Sequence, residues 1–279
     1  MSTAREAAGD TIVAVVTGAA RGIGRGIALV LGEAGATVYV TDLETRERKT
    51  SGLPGTVEDT AEQVAERGGR GIAVPLDHAD DGAVAGLFAR VRAEHGGLDL
   101  LVANAFGGGA DPTRASSSGP FWTLPLEHWR GMFDGGVRSH LVAASFAALL
   151  LIERRGLLVL TGYAHPDPDT IALHVYYDLA MNATSRLAFG LAHDLRPHGV
   201  TALAISPGFT RTEAILAALG DGLPPGTDSV EFPGRAVRAL LEDPYVARHA
   251  GRTIPVAELA EEYGFDDVER AEDPAGGVR

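Results

Sequence analysis

The sequence predicts an α/β protein: a parallel sheet with helices on both faces. Three observations carry that reading. First, the apolar, β-branched run Ile12–Val16 passes through the glycine-spaced turn Thr17-Gly18-Ala19-Ala20-Arg21-Gly22-Ile23-Gly24 into a helical pattern. Second, a further apolar run, Ala36–Val40, ends at the acid Asp42. Third, strand and helix patterns alternate strictly from there to Asn104. Neighbouring parallel strands need a crossover of nearly fixed hand, and a sheet fed by such helices is covered on both sides.

The first strand–turn–helix–strand unit is the one that organises the chain. Glycine lets a backbone or a phosphate approach closely. The turn delivers free N–H groups at a helix N-terminus, where hydrogen bonding and the helix dipole favour a pyrophosphate. Asp42 lies at the distance expected of an acid that accepts hydrogen bonds from an adenosine ribose. The unit therefore predicts dinucleotide binding through Gly18, Arg21, Gly22, Ile23, Gly24 and Asp42. Arg21 could pair with a 2′-phosphate, but Asp42 would repel one, so NAD is favoured and NADP stays open.

The later elements follow in order. Residues 43–54 read as a charged loop, 55–67 as a helix, and 71–76 as a strand ending at Asp77. Asp80 or Asp81 is a plausible cap for a helix running to Glu94, before a strand over 98–104. Residues 106–118 are rich in Gly, Ser and Pro and read as a loop beyond a strand's C-terminal end, where open α/β sheets place ligands. A helix over 126–154, a strand over 157–161, a loop over 162–173, a helix over 175–197 and a strand over 200–206 come next. Residues 212–231 have the composition of a mobile substrate flap, 252–256 give a last strand, and 266–279 form an acidic tail. The expected architecture is one domain over 1–279: a Rossmann-like, doubly wound, seven-stranded parallel sheet in a three-layer αβα arrangement.

Composition narrows the function. A net charge of −13 argues against nucleic acid and against an anionic membrane surface. The absence of cysteine excludes disulfides, a thiol nucleophile and thiolate-bound zinc, and no metal site is expected. The polar N-terminus lacks the apolar core of a signal peptide, and residues 141–152 are too short to span a bilayer, so a cytoplasmic protein is expected. Lys49 is the only lysine.

These stations together resemble the short-chain dehydrogenase/reductase family across essentially the whole chain. The resemblance rests on the Thr17–Gly24 turn, on Asp77, on Asn104-Ala105, and on Pro207-Gly208-Phe209-Thr210-Arg211-Thr212. The runs 21–41, 121–140 and 258–268 further resemble the family's dehydrogenase/reductase member one branch. The resemblance implies that Asp77, with His78 beside it, contacts adenine. It implies that Asn104 borders the cofactor, and that Pro207, Gly208, Phe209 and Thr212 wrap the nicotinamide and its phosphates. It also implies a small-molecule substrate and a homodimer or homotetramer paired through the helices at 126–154 and 175–197.

In the family a Tyr transfers the proton, a Lys four residues later lowers its pKa, a Ser polarises the substrate oxygen and an Asn holds a relay water. The family Tyr falls on Tyr177, but the Lys position is Met181. No serine lies in 160–163, where Thr161 is the nearest hydroxyl, and the Asn position falls on Asp134. A thioether supplies neither charge nor a strong hydrogen bond. A neutral phenol can donate a proton in reduction but is a poor base for oxidation, which argues against an ordinary fast alcohol dehydrogenase. The leading expectation is a nicotinamide-dependent oxidoreductase-like enzyme acting on a carbonyl or alcohol of a small, partly aromatic metabolite, with Tyr177, Thr161 and Asp134 as catalytic candidates. The alternatives are a non-redox cyclase, dehydratase or isomerase using Tyr177, Asp134 or His165, and a catalytically silent dinucleotide-binding protein. His165 and His174 are loop histidines that could replace the missing acid–base function. Phe106, Phe121, Trp122, Tyr163 and Phe209 are candidates for an aromatic pocket wall.

Overall fold

The computed structural model describes residues 11–107, 119–165 and 169–268. Most of the expected loop at 106–118, both prolines of the loop at 162–173 and the end of the acidic tail lie outside the described residues.

The apolar runs form seven parallel strands: β1 (Val13–Thr17), β2 (Thr37–Asp42), β3 (Arg70–Pro75), β4 (Leu100–Ala103), β5 (Leu157–Thr161), β6 (Thr201–Ser206) and β7 (Thr253–Pro255). Their order is β3-β2-β1-β4-β5-β6-β7. Successive side chains on a strand face opposite sides, and the sheet therefore feeds two cores. Ala14, Val16, Val102, Val159 and Ile205 pack on one face, and Val15, Leu101, Ala103, Leu158 and Leu160 on the other.

The first face is covered by α1 (Gly22–Glu33) and α2 (Val57–Glu66), and by two helices the sequence reading did not place, α7 (Phe232–Glu242) and α8 (Val256–Tyr263). The opposite face is covered by α3 (Asp81–His95), α4 (Ser139–Arg154) and α5 (Val175–Leu195). Caps fix where helices begin. Thr56 accepts from the Asp59 amide to start α2, and Asp80 accepts from the Gly82 and Ala83 amides to start α3. The buried Asp99 ties β1 to the α4 side, accepting from the Val13 amide at 2.8 Å and from Arg154 at 3.1 Å.

Two expectations change. The helix expected over 126–154 is α-helical only from Ser139; Arg130–Arg138 is π-helical. Within the expected flap, Glu213–Leu219 forms a short helix, α6, capped by Thr212. The start of the acidic tail is tied down, since the Ser229 amide and hydroxyl both donate to the Asp267 carboxylate, at 2.7 and 2.5 Å. The stretch 130–154 is long and apolar enough to cross a membrane by length and composition; in the fold, Ala143, Ala147, Leu150 and Leu151 of α4 are buried in the second core.

Candidate active site

β1 has β2 on one side and β4 on the other, so the loops after β1 and β4 part and leave a crevice at the strands' C-terminal ends. Thr17 and Asn104 join its walls. The Thr17 hydroxyl accepts from the Asn104 and Ala105 amides at 2.8 and 2.9 Å, and the Asn104 side-chain amide donates to the Thr17 and Gly18 carbonyls. The approach leaves no room for side chains. A Cβ on Gly18 (φ +65°) would lie 2.8 Å from Ala105 Cα, and one on Gly24 would lie 2.3 Å from the Gly18 carbonyl oxygen.

α1 opens at Gly22 without a side-chain cap and with no acid in its own first turn. Its Gly22 amide donates to the carboxylate of Glu213, on α6, at 2.7 Å, and Arg25 holds the other oxygen at 3.2 Å. The helix N-terminus thus already receives an anion, and this carboxylate stands in for a phosphate oxygen. The donor set fits the dinucleotide pyrophosphate that the glycine turn predicts. Ile23, Asn104, Pro207 and Gly208 line the cleft, and Thr212 packs against Gly22. Asp42 sits at the end of β2, accepting from the Ala20 and Glu44 amides at 3.2 Å each; burial raises its pKa against those two hydrogen bonds. Asp77 is exposed beyond β3. His78 does not present its ring to the crevice: it is buried and bonded to the Thr41 hydroxyl at 2.8 Å. Phe209 is half exposed and lies outside the cleft lining.

The crevice continues into a cavity of about 180 Å³. Tyr177, in the first turn of α5, half-buries its ring between Phe106 and Tyr163, edge-to-face at 6.2 and 6.4 Å. His174 caps this turn through its ring, accepting from the Tyr177 amide at 3.3 Å, so this loop histidine is buried and holds α5. Burial pushes the Tyr177 phenol up to about 12, with the Tyr163 phenol adding to the shift. One turn on, Met181 is buried with Met132 and Ala180. Thr161 lines the cavity at the end of β5.

Among the described residues, none that lines the cavity carries an acidic, lysine or arginine side chain. The one titratable imidazole there, His140, is fully enclosed and hydrogen-bonded to the Ala105 carbonyl, and burial lowers its pKa to about 4. The described lining is therefore uncharged at neutral pH.

Asp134 does not join this group. It is exposed, because the π-helical stretch turns Met132 and Gly136 toward Phe106 and leaves the residue between them outward. Phe121 and Trp122 are also exposed, edge-to-face on each other and outside the cavity lining. His165 pairs instead with Asp178 at 2.7 Å and lies edge-to-face on Tyr163. Sequence reasoning missed His140 and Glu213. His140 sits in an apolar helical run with no motif to mark it, and Glu213 is 191 residues from the amide it caps.

Comparison with known proteins agrees with this fold. The family model for enoyl-(acyl carrier protein) reductase matches residues 18–224. The chain is 33% identical over 272 residues to mouse dehydrogenase/reductase SDR family member 1, covering 92% of this chain and 83% of the relative. It is 31% identical to a cyclohexanol dehydrogenase of Rhodococcus sp., covering 75% and 79%. A short-chain type dehydrogenase/reductase from Mycobacterium marinum superposes with a TM-score of 0.70 at 25% identity, covering 88% and 93%. A solved structure from Xanthomonas campestris superposes with a TM-score of 0.80 at 26% identity, covering 95% and 94%.

Proposed function

The chain belongs to the short-chain dehydrogenase/reductase family of nicotinamide-dependent oxidoreductases, and within it we propose an NAD-dependent enzyme working as a reductase on a small, neutral carbonyl compound. One observation carries this reading: the Tyr177 phenol enters an uncharged, largely apolar cavity at the end of the dinucleotide crevice, with Met181 where a cation would lower its pKa.

The Gly22 and Ile23 amides and Thr212 would hold the pyrophosphate and Asp42 would receive the adenosine ribose, while Asn104 clasps the loops after β1 and β4 together. A bound nicotinamide supplies the hydride. Tyr177 stays protonated throughout the neutral range, and its hydroxyl donates first a hydrogen bond and then a proton to the substrate oxygen. Thr161 supplies a second hydroxyl. Phe106, Tyr163 and Met181 keep water out and favour an uncharged, partly aromatic substrate. A carboxylate or phosphate substrate would meet no cation among the described lining residues. Pairing of copies through the exposed Leu141, Phe146 and Leu149 of α4 and Leu179 and Phe189 of α5 accompanies the reading.

The test is titration with NADH and NADPH followed by nicotinamide fluorescence, then carbonyl reduction by wild type and Tyr177→Phe. Loss of about 10²–10⁴-fold in turnover is expected with cofactor binding retained. Full turnover in Tyr177→Phe would sink the proton-donor role.

A second reading rests on the His165–Asp178 pair, an imidazole oriented by a carboxylate beside the Tyr163 ring that lines the cavity. It would serve non-redox acid–base chemistry. Turnover without any nucleotide, lost in His165→Asn and kept in Tyr177→Phe, would select it.

A further inference from the structure

The adenosine end of the crevice carries a feature that the glycine motif does not explain. Arg21 immediately precedes α1, on the side where β2 ends at Asp42. An arginine there is the group that could accept the extra phosphate of a 2′-phosphorylated dinucleotide. Its guanidinium is already engaged. Nε donates to the Pro54 carbonyl at 3.0 Å, and one terminal nitrogen lies 3.5 Å from the Gly55 carbonyl and 3.3 Å from a Glu44 carboxylate oxygen.

Glu44 is itself built in, with only 2% of its surface exposed. The Thr50 amide donates to both of its oxygens at 3.1 Å, and the Thr50 hydroxyl to one at 2.5 Å. Burial alone would raise its pKa, but the Thr50 hydrogen bonds and the Arg21 charge hold it below the ordinary carboxylate range. The 43–55 loop is pressed against the glycine turn. At Gly55 (φ +102°) a Cβ would lie 2.3 Å from the Ala20 carbonyl oxygen and 3.1 Å from Arg21 Cβ. Arg21 cannot swing toward the crevice without breaking the ion pair and moving this loop. One guanidinium against the Asp42 and Glu44 carboxylates leaves the corner with one net negative charge.

We propose that Glu44 is a specificity-determining residue: it sequesters Arg21 in a loop-anchored ion pair and so excludes 2′-phosphorylated dinucleotides, adding to the repulsion from Asp42. The inference rests on the dinucleotide reading above and deepens it by assigning the discrimination to a residue outside the glycine turn. Asp42 alone would leave a free arginine beside it to offset its charge; with Glu44 in place, Arg21, the cation whose charge acts on Asp42, is held away from the phosphate.

The test uses the full chain as wild type, Glu44→Gln, Arg21→Gln and the double variant, titrated separately with NADH and NADPH by nicotinamide fluorescence and by calorimetry. The readout is the ratio of the two affinities. Wild type is expected to favour NADH. Glu44→Gln should move the ratio toward NADPH by about ten- to a hundredfold, the range that one charge-assisted hydrogen bond contributes. The gain should vanish in the double variant, because it comes from the released Arg21. If Glu44→Gln does not fold, Glu44→Ala takes its place, with the same release of Arg21 and the same gain expected. A folded Glu44 variant with an unchanged ratio, or a gain that persists in the double variant, would each overturn the proposal while leaving dinucleotide binding intact. Failure of wild type to bind either nucleotide would overturn both.

Discussion

Replacing Met181 with lysine should restore a base to this active site, and the size of the effect can be worked out. The Tyr177 phenol sits at about 12. At pH 8 only about one molecule in ten thousand then carries the phenolate. Position 181 lies one turn further along the same face of α5, so its side chain reaches toward the Tyr177 ring. A unit charge about 5 Å away, at an effective dielectric of about 20, favours the phenolate by roughly 3 kcal/mol, or about two units of pKa. Met181→Lys should therefore bring Tyr177 to about 10 and raise the phenolate fraction at pH 8 by about a hundredfold. Alcohol oxidation, which needs the base, should gain; carbonyl reduction, which needs the acid, should change little. Burying an ammonium beside Met132 and Ala180 will destabilise the fold by about 1–3 kcal/mol, so unfolding is measured alongside. The direct assay is tyrosinate absorbance against pH, with Tyr177→Phe identifying the transition and Met181→Leu as the uncharged control. A folded Met181→Lys protein in which Tyr177 titrates as in wild type would refute the electrostatic reasoning.

Two further outcomes follow from the same site. His78 and His140 have folded pKa values of about 4, both lowered chiefly by burial. The unfolded chain therefore takes up protons near pH 6.5 that the folded one refuses, and stability should be complete above pH 6.5 and fall as pH drops toward 4. Each histidine accounts for up to about 3 kcal/mol. A Tm series from pH 7.5 to 4.5 should be flatter for His140→Gln than for wild type, and parallel curves would contradict this. Glu213→Gln removes the charge that competes with a pyrophosphate at the Gly22 amide, and NADH should bind about two- to fivefold more tightly, from the ~0.3–1 kcal/mol such a charge contributes at a helix N-terminus. Weaker binding in calorimetry would show that Glu213 supports the cofactor rather than displacing it.

The sequence carried the sheet well, because a parallel strand buried on both faces must be an apolar run and its crossover helix must show a helical period. All seven strands lie where such runs were read, the last of them at Thr253–Pro255. α7 was legible and passed over: Phe232, Ala236, Val237 and Leu240 have helical spacing, with Pro233 where a helix start tolerates it. The π-helical turn was not legible, because its hydrogen-bond register depends on how Met132 and Gly136 meet Phe106, not on local propensity.

By itself, then, the sequence determined the αβα architecture, the glycine turn with Asp42 at its partner strand, and the placing of a methionine, Met181, four residues after Tyr177. These are properties of residue type and spacing along the chain. The tertiary structure decided which groups face the cleft and in what charge state. It excluded Asp134, enclosed His140, turned His174 into a helix cap, placed Glu213 on the Gly22 amide and locked Arg21 onto Glu44. The physical reason is that burial, desolvation and ion pairing depend on neighbours brought together from distant parts of the chain, and no local pattern encodes them.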